Sequence, residues 1–460
     1  MTKLDTASII VIVTIFVVFA FIFKLLSSLN PRRSEVYDFE RDHEEALSKL
    51  PKNQKTTGEV TLIGKANKKG VVIENEAKHI FICGTTGSGK TIALANFLKS
   101  GTIHNYPMLI IDGKGDTGEG SLFFIVKELC PNRKKYIINL NEPGQSDKYN
   151  PFKNTNADVI KDMLINMTVW SEEHYKYNTE RYIQRLCRLL ELAKLSQSLE
   201  SLIKYLPVDN FNRLSKELSA SGNISKAEHI ADIELAKTSG KIAESASARF
   251  ATIKESYLGE IFDDSGIDIY TALKENAIIL FILNPLLYPE MSPLIGNLII
   301  IDSKKAVSNF YREKKPRIFY IFDEINVYAT PPLLDLVNKS RSANITCILA
   351  TQSLSDLDSV TPEFKEQIIE NCNNYIVLRQ NSSVNAEHWS NVIGTRVTMQ
   401  ATYQIRGASG EAKSTELGSL RKTRAFIFHP DEIKRLKTGE AIFLSRDKMF
   451  HTKMNVNKPF

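Results

Sequence analysis

Residues 79–97 read HIFICGTTGSGKTIALANF, and the junction inside this stretch decides the fold. Residues 79–83 form a short apolar run of the kind that makes a buried strand, and 91–98 read as a helix. Between them stand glycines at 84, 87 and 89. Glycine lets the backbone curl until several N–H groups face one anion, and a helix N-terminus favours negative charge at the same point. Lys90 adds a cation where the outer phosphates of a nucleotide lie, and Thr91 a hydroxyl for magnesium. Gly84, Thr85, Thr86, Gly87, Ser88, Gly89, Lys90 and Thr91 thus make a complete Walker A pattern, set between strand and helix as the motif requires. The expected ligands are ATP and Mg2+.

Six further apolar, β-rich runs follow, at 108–111, 136–140, 277–284, 318–322, 345–350 and 375–378, with helical stretches between them. Strands apolar on both faces and separated by helices predict a mainly parallel sheet covered on both sides, an α/β P-loop NTPase fold. The rhythm breaks over 155–265. There Ile183, Leu186, Leu189, Leu190 and Ala193 recur at helical spacing, which predicts an inserted all-α domain. Arg181, Arg185 and Arg188 lie about one turn apart on the same helix and are expected to face solvent. Residues 58–154 and 266–460 are then the nucleotide-binding domain, with a small hairpin near 60–73.

A nucleotide loop alone does not hydrolyse. The segment PRIFYIFDEIN, 316–326, ends an apolar strand with two adjacent carboxylates, at the strand end where open parallel sheets bind ligands. Asp323 is expected to support magnesium and Glu324 to act as general base. MLIIDGKGD, 108–116, also ends a strand with an acid, Asp112, but glycine follows it. Asp112 and Lys114 therefore rank as neighbours of the site. ILATQS, 348–353, places Gln352 at the next strand end, where an amide can sense the γ-phosphate, with Thr351 in support. Arg341, in NKSRSANI, is a candidate arginine finger toward a neighbouring subunit.

Composition bounds the setting. The chain has 460 residues, 43% of them hydrophobic, and a net charge of +6, which suits a globular chain with a real core. Residues 396–460 carry 13 Lys+Arg against 6 Asp+Glu, so the basic excess lies at that end. Five cysteines, at 83, 130, 187, 347 and 372, show no C-x-x-C spacing and read as buried thiols in a reducing compartment. Residues 7–23, ASIIVIVTIFVVFAFIF, read as one transmembrane helix, with 1–30 as the anchor and 31–57 as a charged linker. Lys24, Arg32 and Arg33 follow the span, which puts the ATPase part in the cytoplasm, on a single-pass protein of the inner or plasma membrane.

Several further segments make the pattern specific: GTTGSGKT, LIIDGKGD, KYNPF, FDEIN, LVNKSRSANITCILATQSLSDL, IIENCNNYIVLRQNSSVNAEHWSNVIG and HPDEIKRLKTGEAIFL, in that order. Together they resemble the coupling-protein ATPases of type IV secretion and conjugation, relatives of the FtsK and HerA-type DNA translocases. The resemblance implies a membrane-tethered homo-hexamer of RecA-like domains that moves single-stranded DNA, or DNA joined to a relaxase or accessory protein, toward a type IV secretion channel. It gives Lys90 and Thr91 the Walker A roles, Asp323 and Glu324 the Walker B roles, and Gln352 the motif-three role. Such proteins commonly have two transmembrane passes, whereas one is read here.

Sequence-tolerant DNA binding requires a positive surface, for which Lys314, Lys315, Arg396, Arg406, Arg421, Lys422 and Arg424 are candidates. Two other functions stay open: an ATP-regulated membrane docking receptor for secreted proteins, and a duplex DNA translocase.

Overall fold

The structure, a computed structural model, describes residues 59–76, 79–167, 172–313, 317–361, 363–406 and 413–459. The apolar run at 7–23, the linker at 31–57, and Lys314 and Lys315 lie outside the described residues. Among the described residues no helix is long and apolar enough to cross a membrane.

The strands in chain order are β1 (Val60–Ala66), β2 (Lys69–Glu74), β3 (His79–Cys83), β4 (Met108–Asp112), β5 (Lys135–Asn139), β6 (Ile278–Ile282), β7 (Ile318–Asp323), β8 (Ile345–Thr351), β9 (Cys372–Val377), β10 (Thr395–Arg406), β11 (Lys413–Phe426), β12 (Glu440–Ser445) and β13 (Phe450–Val456). Eleven of them form one sheet in the order β2-β1-β13-β12-β9-β3-β8-β7-β4-β6-β5. The seven strands expected from the apolar runs are the seven from β9 to β5, and they pair in parallel with one another. The first and last hairpins of the described chain, β1–β2 and β12–β13, extend this block through antiparallel pairs.

Both faces of the parallel block are buried. On one side Ile80, Ile82, Ile110, Leu280, Ile321 and Ile348 pack in a single core with Leu94, Phe97 and Leu98 of the helix Lys90–Ile103. On the other, Phe81, Leu109, Phe281, Tyr320, Phe322 and Leu349 are also fully buried or nearly so. Full burial of alternate residues in both directions is what makes these strands read as continuous apolar runs.

Between Ala157 and Ile261 the described residues form only helices and helical turns. The helix Glu173–Leu192 buries Tyr182, Ile183, Leu186, Cys187, Leu189 and Leu190. A π turn at Ala236–Gly240 brings Gly240 so near that an added Cβ would lie 2.4 Å from Val208, which explains glycine there. Arg181 and Arg188 are exposed, as expected. Arg185 is not: its guanidinium forks onto Asp232, with Nε to Oδ1 at 2.6 Å and Nη2 to Oδ2 at 3.0 Å, and ties two helices together. Its partner lies 47 positions away, beyond the reach of helical periodicity.

The sheet and the helical region form one compact unit. Residues 390–429 belong to a second. There β10 and β11 make a two-stranded antiparallel ribbon, with Arg396 opposite Ala425 and Met399 opposite Lys422.

Candidate nucleotide-binding site

The strand order places β8 between β3, which leads into the glycine loop, and β7, which ends in the acidic pair. All three run the same way, so residue 84, residue 324 and residue 352 emerge at one rim of the sheet. Two segments some 230 positions apart in the chain meet there.

The loop holds its shape through backbone conformations that suit glycine. Gly87 and Gly89 have φ of +73° and +112°. A Cβ on Gly84 would lie 2.6 Å from Leu378 Cβ and 2.7 Å from Ser88 Oγ. Ser88 Oγ donates to Thr85 O at 2.6 Å, which closes the turn. Lys90 begins the helix Lys90–Ile103 and is buried, with Nζ donating to Gly84 O at 2.8 Å and 3.6 Å from Glu324 Oε1. Thr91 follows it in the first helical turn.

Glu324 departs from ordinary backbone geometry, with φ +48° and ψ +54°. A non-glycine residue in this left-handed region is uncommon and is tolerated where surrounding contacts enforce it. The contacts here are specific. Gly113 N donates to Asp323 O at 3.2 Å, and Tyr328 Oη donates to the same oxygen at 3.0 Å. Gly113 must approach closely, since a Cβ there would be 2.8 Å from Glu324 O.

Gln352 joins the two halves. Its Nε2 donates to Glu324 Oε1 at 2.9 Å, and its Oε1 accepts from Thr86 Oγ1 at 2.8 Å. Thr351, fully buried, donates from Oγ1 to Ser353 O at 3.3 Å and so shapes the turn that carries Gln352. Asp112 stands directly across from Asp323 in the β4–β7 register. Burial first, then the neighbouring Asp112 and Glu324 carboxyls, push Asp323 up to about 8. Burial likewise raises Asp112 to about 6, against the N–H groups of Lys114 and Gly115 that favour its charge.

The residues present fit a magnesium nucleotide. Among the described residues, none hydrogen-bonds the buried Glu324 Oε2 or Thr85 Oγ1. A cation beside the glycine loop suits phosphate, and the oxygen donors of Thr91, Asp323 and Glu324 suit a hard divalent ion.

Other expected residues lie apart from this cluster. Lys114 is half exposed, with Nζ 3.7 Å from Asp116 Oδ2. Arg341 is exposed on the turn Arg341–Ala343, just before β8 begins, whereas Gln352 follows its end. Seven strand residues at about 3.3 Å each put them roughly 20 Å or more apart. Arg341 therefore belongs to the opposite edge of the sheet. The contributions of Gly113 and Tyr328 were invisible in the sequence except as a glycine after Asp112 and a tyrosine after the acidic pair. The same holds for Thr438 and Gly439, which reach the glycine loop from the C-terminal hairpin.

Comparison with known proteins agrees with this architecture. The bacterial conjugative coupling protein TrwB, unbound, superposes with a TM-score of 0.62 at 15% identity, covering 90% of this chain and 91% of that one. TrwB in complex with ADP and Mg2+ gives 0.61 at 15%, covering 90% and 92%. VirB4 of Thermoanaerobacter pseudethanolicus gives 0.54 at 10%, covering 88% and 97%. At these identities the likeness establishes a shared fold. An uncharacterized protein of Mycoplasma pneumoniae is 26% identical over 141 residues, 30% of this chain and 87% of that protein. Residues 70–457 match the family described as type IV secretion-system coupling protein DNA-binding domain, which is most of the 460-residue chain, and the chain belongs to that family.

Proposed function

We propose that the protein is an ATP-hydrolysing motor that moves single-stranded DNA, alone or joined to a relaxase, to a type IV secretion channel. It works as a membrane-anchored homo-hexamer, with residues 7–23 as its single span and the ATPase part in the cytoplasm. The observation that carries this reading is the Thr86–Gln352–Glu324 bridge, which links the phosphate loop to the acidic pair. The solved complex of TrwB with ADP and Mg2+, on the same fold, supports the ligand.

Thr91 and Asp323 would hold magnesium, which when bound supplies charge neutralisation at the phosphate oxygens. Lys90 exchanges its contact with Gly84 O for the outer phosphates. Glu324 orients the attacking water through the buried Oε2, which no donor among the described residues occupies, and takes up its proton there. Gln352 holds the other oxygen of that carboxylate, so the direction of Oε2 is set before substrate arrives. Loss of the γ-phosphate then alters Thr86 and Glu324 together, and Gln352 carries the change into the loop after β8.

The ribbon gives the motor a nucleic-acid contact. Arg396, Arg421, Lys422 and Arg424 are exposed on it, and Arg406 ends its first strand. Lys422 and Arg424 share one face, about 7 Å apart along the strand, a spacing that suits successive phosphates of an extended single strand. Exposed Val397 and Leu420 lie on that same face and offer apolar contact to bases.

ATP turnover by the full chain in detergent, with single-stranded, duplex and no DNA, tests the proposal. Stimulation by single strands supports it. Turnover indifferent to DNA, with cargo protein still bound, supports a docking receptor, and preference for duplex a duplex translocase.

A further inference from the structure

Besides the Walker segments, the turn Lys437–Gly439 touches the glycine loop. Gly439 N donates to Ser88 O at 3.0 Å, and Thr438 Oγ1 donates to Gly87 O at 3.2 Å. The two backbones are neighbours, since a Cβ on Gly89 would make ordinary van der Waals contact, at 3.5 Å, with both Cα and N of Gly439. Gly439 itself has φ +81°, the left-handed conformation that lets the chain turn back toward the loop.

The same hairpin continues along the outside of the helix that follows the loop. Val456 N donates to Gly439 O at 2.7 Å, which joins the turn to β13. Asn457 and the buried Asn96 exchange a pair of bonds: Asn96 Nδ2 to Asn457 O and Asn457 Nδ2 to Asn96 Oδ1, each 2.9 Å. Lys99 Nζ reaches Pro459 O at 2.6 Å. Loop and helix are thus gripped at both levels by one C-terminal element.

We infer that Thr438 and Gly439 are positioning residues of the nucleotide site. In a trans peptide the carbonyl and the amide point in opposite directions. Binding the Ser88 carbonyl outward, onto Gly439 N, therefore turns the Gly89 amide away from the turn and into the concave side of the loop, where phosphate oxygens are held. Binding the Gly87 carbonyl fixes the preceding peptide plane, whose Ser88 amide donates to Thr85 O at 3.1 Å and so holds the turn on which the Gly89 amide is carried. Gly439 in this way sets the direction of the Gly89 amide, and Thr438 steadies the turn beneath it. This inference rests on the reading of the loop as an ATP site.

Thr438→Val removes the hydroxyl and keeps the shape, and Thr438→Ser restores it. Losing one hydrogen bond that positions a binding group is expected to raise KM for ATP, and Kd for a fluorescent ATP analogue, roughly threefold to tenfold. The value of kcat stays within a factor of two, as does the unfolding midpoint of the nucleotide-free chain, and Thr438→Ser returns KM to the wild-type value. Unchanged KM and Kd in Thr438→Val overturn the inference, as does a kcat loss that Thr438→Ser fails to rescue. A wild-type chain that binds no ATP analogue defeats the underlying reading instead, and is told apart by that control.

Discussion

Gln352 is hydrogen-bonded to Thr86 on one side and Glu324 on the other, at 2.8 and 2.9 Å, so a single amide spans the phosphate loop and the acidic pair. The bridge works only because β8 lies between β3 and β7. Were those two strands adjacent, no third strand end would stand between their ligands.

Gln352→Ala breaks both bonds and, among the described residues, leaves Glu324 oriented only by its contact with Lys90 at 3.6 Å. We expect kcat for ATP to fall at least about tenfold, part of the range that a positioned acid or base contributes, while nucleotide Kd changes little. Steady-state ATPase together with equilibrium binding checks the split.

Arg341 sits at the sheet edge away from Lys90, so a role in hydrolysis requires a second subunit. Arg341→Ala is expected to bind nucleotide as wild type and to lose most turnover. Mixing it with Glu324→Gln should restore part of the activity, since some interfaces then combine an intact Glu324 with an intact Arg341. ATPase measured across mixing ratios reads this directly, and no recovery at any ratio removes Arg341 from the mechanism.

Gly113→Ala should disturb the acidic pair although residue 113 bears no functional group. Its Cβ would lie 2.8 Å from Glu324 O and 3.1 Å from Asp323 O, both backbone atoms. Overpacking of this kind costs about 1–3 kcal/mol, and Glu324 already occupies the left-handed region. We expect a lower unfolding midpoint and a loss in kcat larger than the change in Kd.

His79 links stability to pH. Its Nε2 is 2.8 Å from Val337 O and its Nδ1 accepts from Cys347 N at 3.0 Å, an arrangement that uses the neutral ring. Burial lowers its pKa to about 4 from the ordinary 6.5. The unfolded chain therefore binds a proton between those values that the folded chain refuses. The contribution is fully present above pH 6.5 and is lost as pH falls toward 4, up to about 3 kcal/mol. The raised pKa values of Asp112 and Asp323 act in the opposite sense over this range, so the His79 term is read as the difference in unfolding free energy between wild type and His79→Gln at pH 7.5, 6, 5 and 4, which should shrink as pH falls.

Much of this arrangement was legible from the residues because burial on both faces writes itself as uninterrupted apolar runs. That covers the seven parallel strands and the strand ends bearing Asp323 and Gln352. The β10–β11 ribbon was missed because alternation such as TRVTMQ buries no complete face. Antiparallel β12 and β13 were also missed as strands, since their place in the sheet depends on pairing with β9 and β1 and not on local pattern. The Arg185–Asp232 fork and the contacts of Thr438 and Gly439 join positions far apart in sequence, so no window along the chain contains both partners.

The central claim is that Lys90 and the Asp323–Glu324 pair act on one magnesium nucleotide. It is tested most directly by comparing ATP binding and turnover in Lys90→Ala and Glu324→Gln. The account predicts that Glu324→Gln binds ATP at least as tightly as wild type with kcat reduced about a hundredfold or more, and that Lys90→Ala loses binding and turnover together. Turnover by Glu324→Gln at the wild-type rate, or undiminished ATP binding by Lys90→Ala, would contradict it.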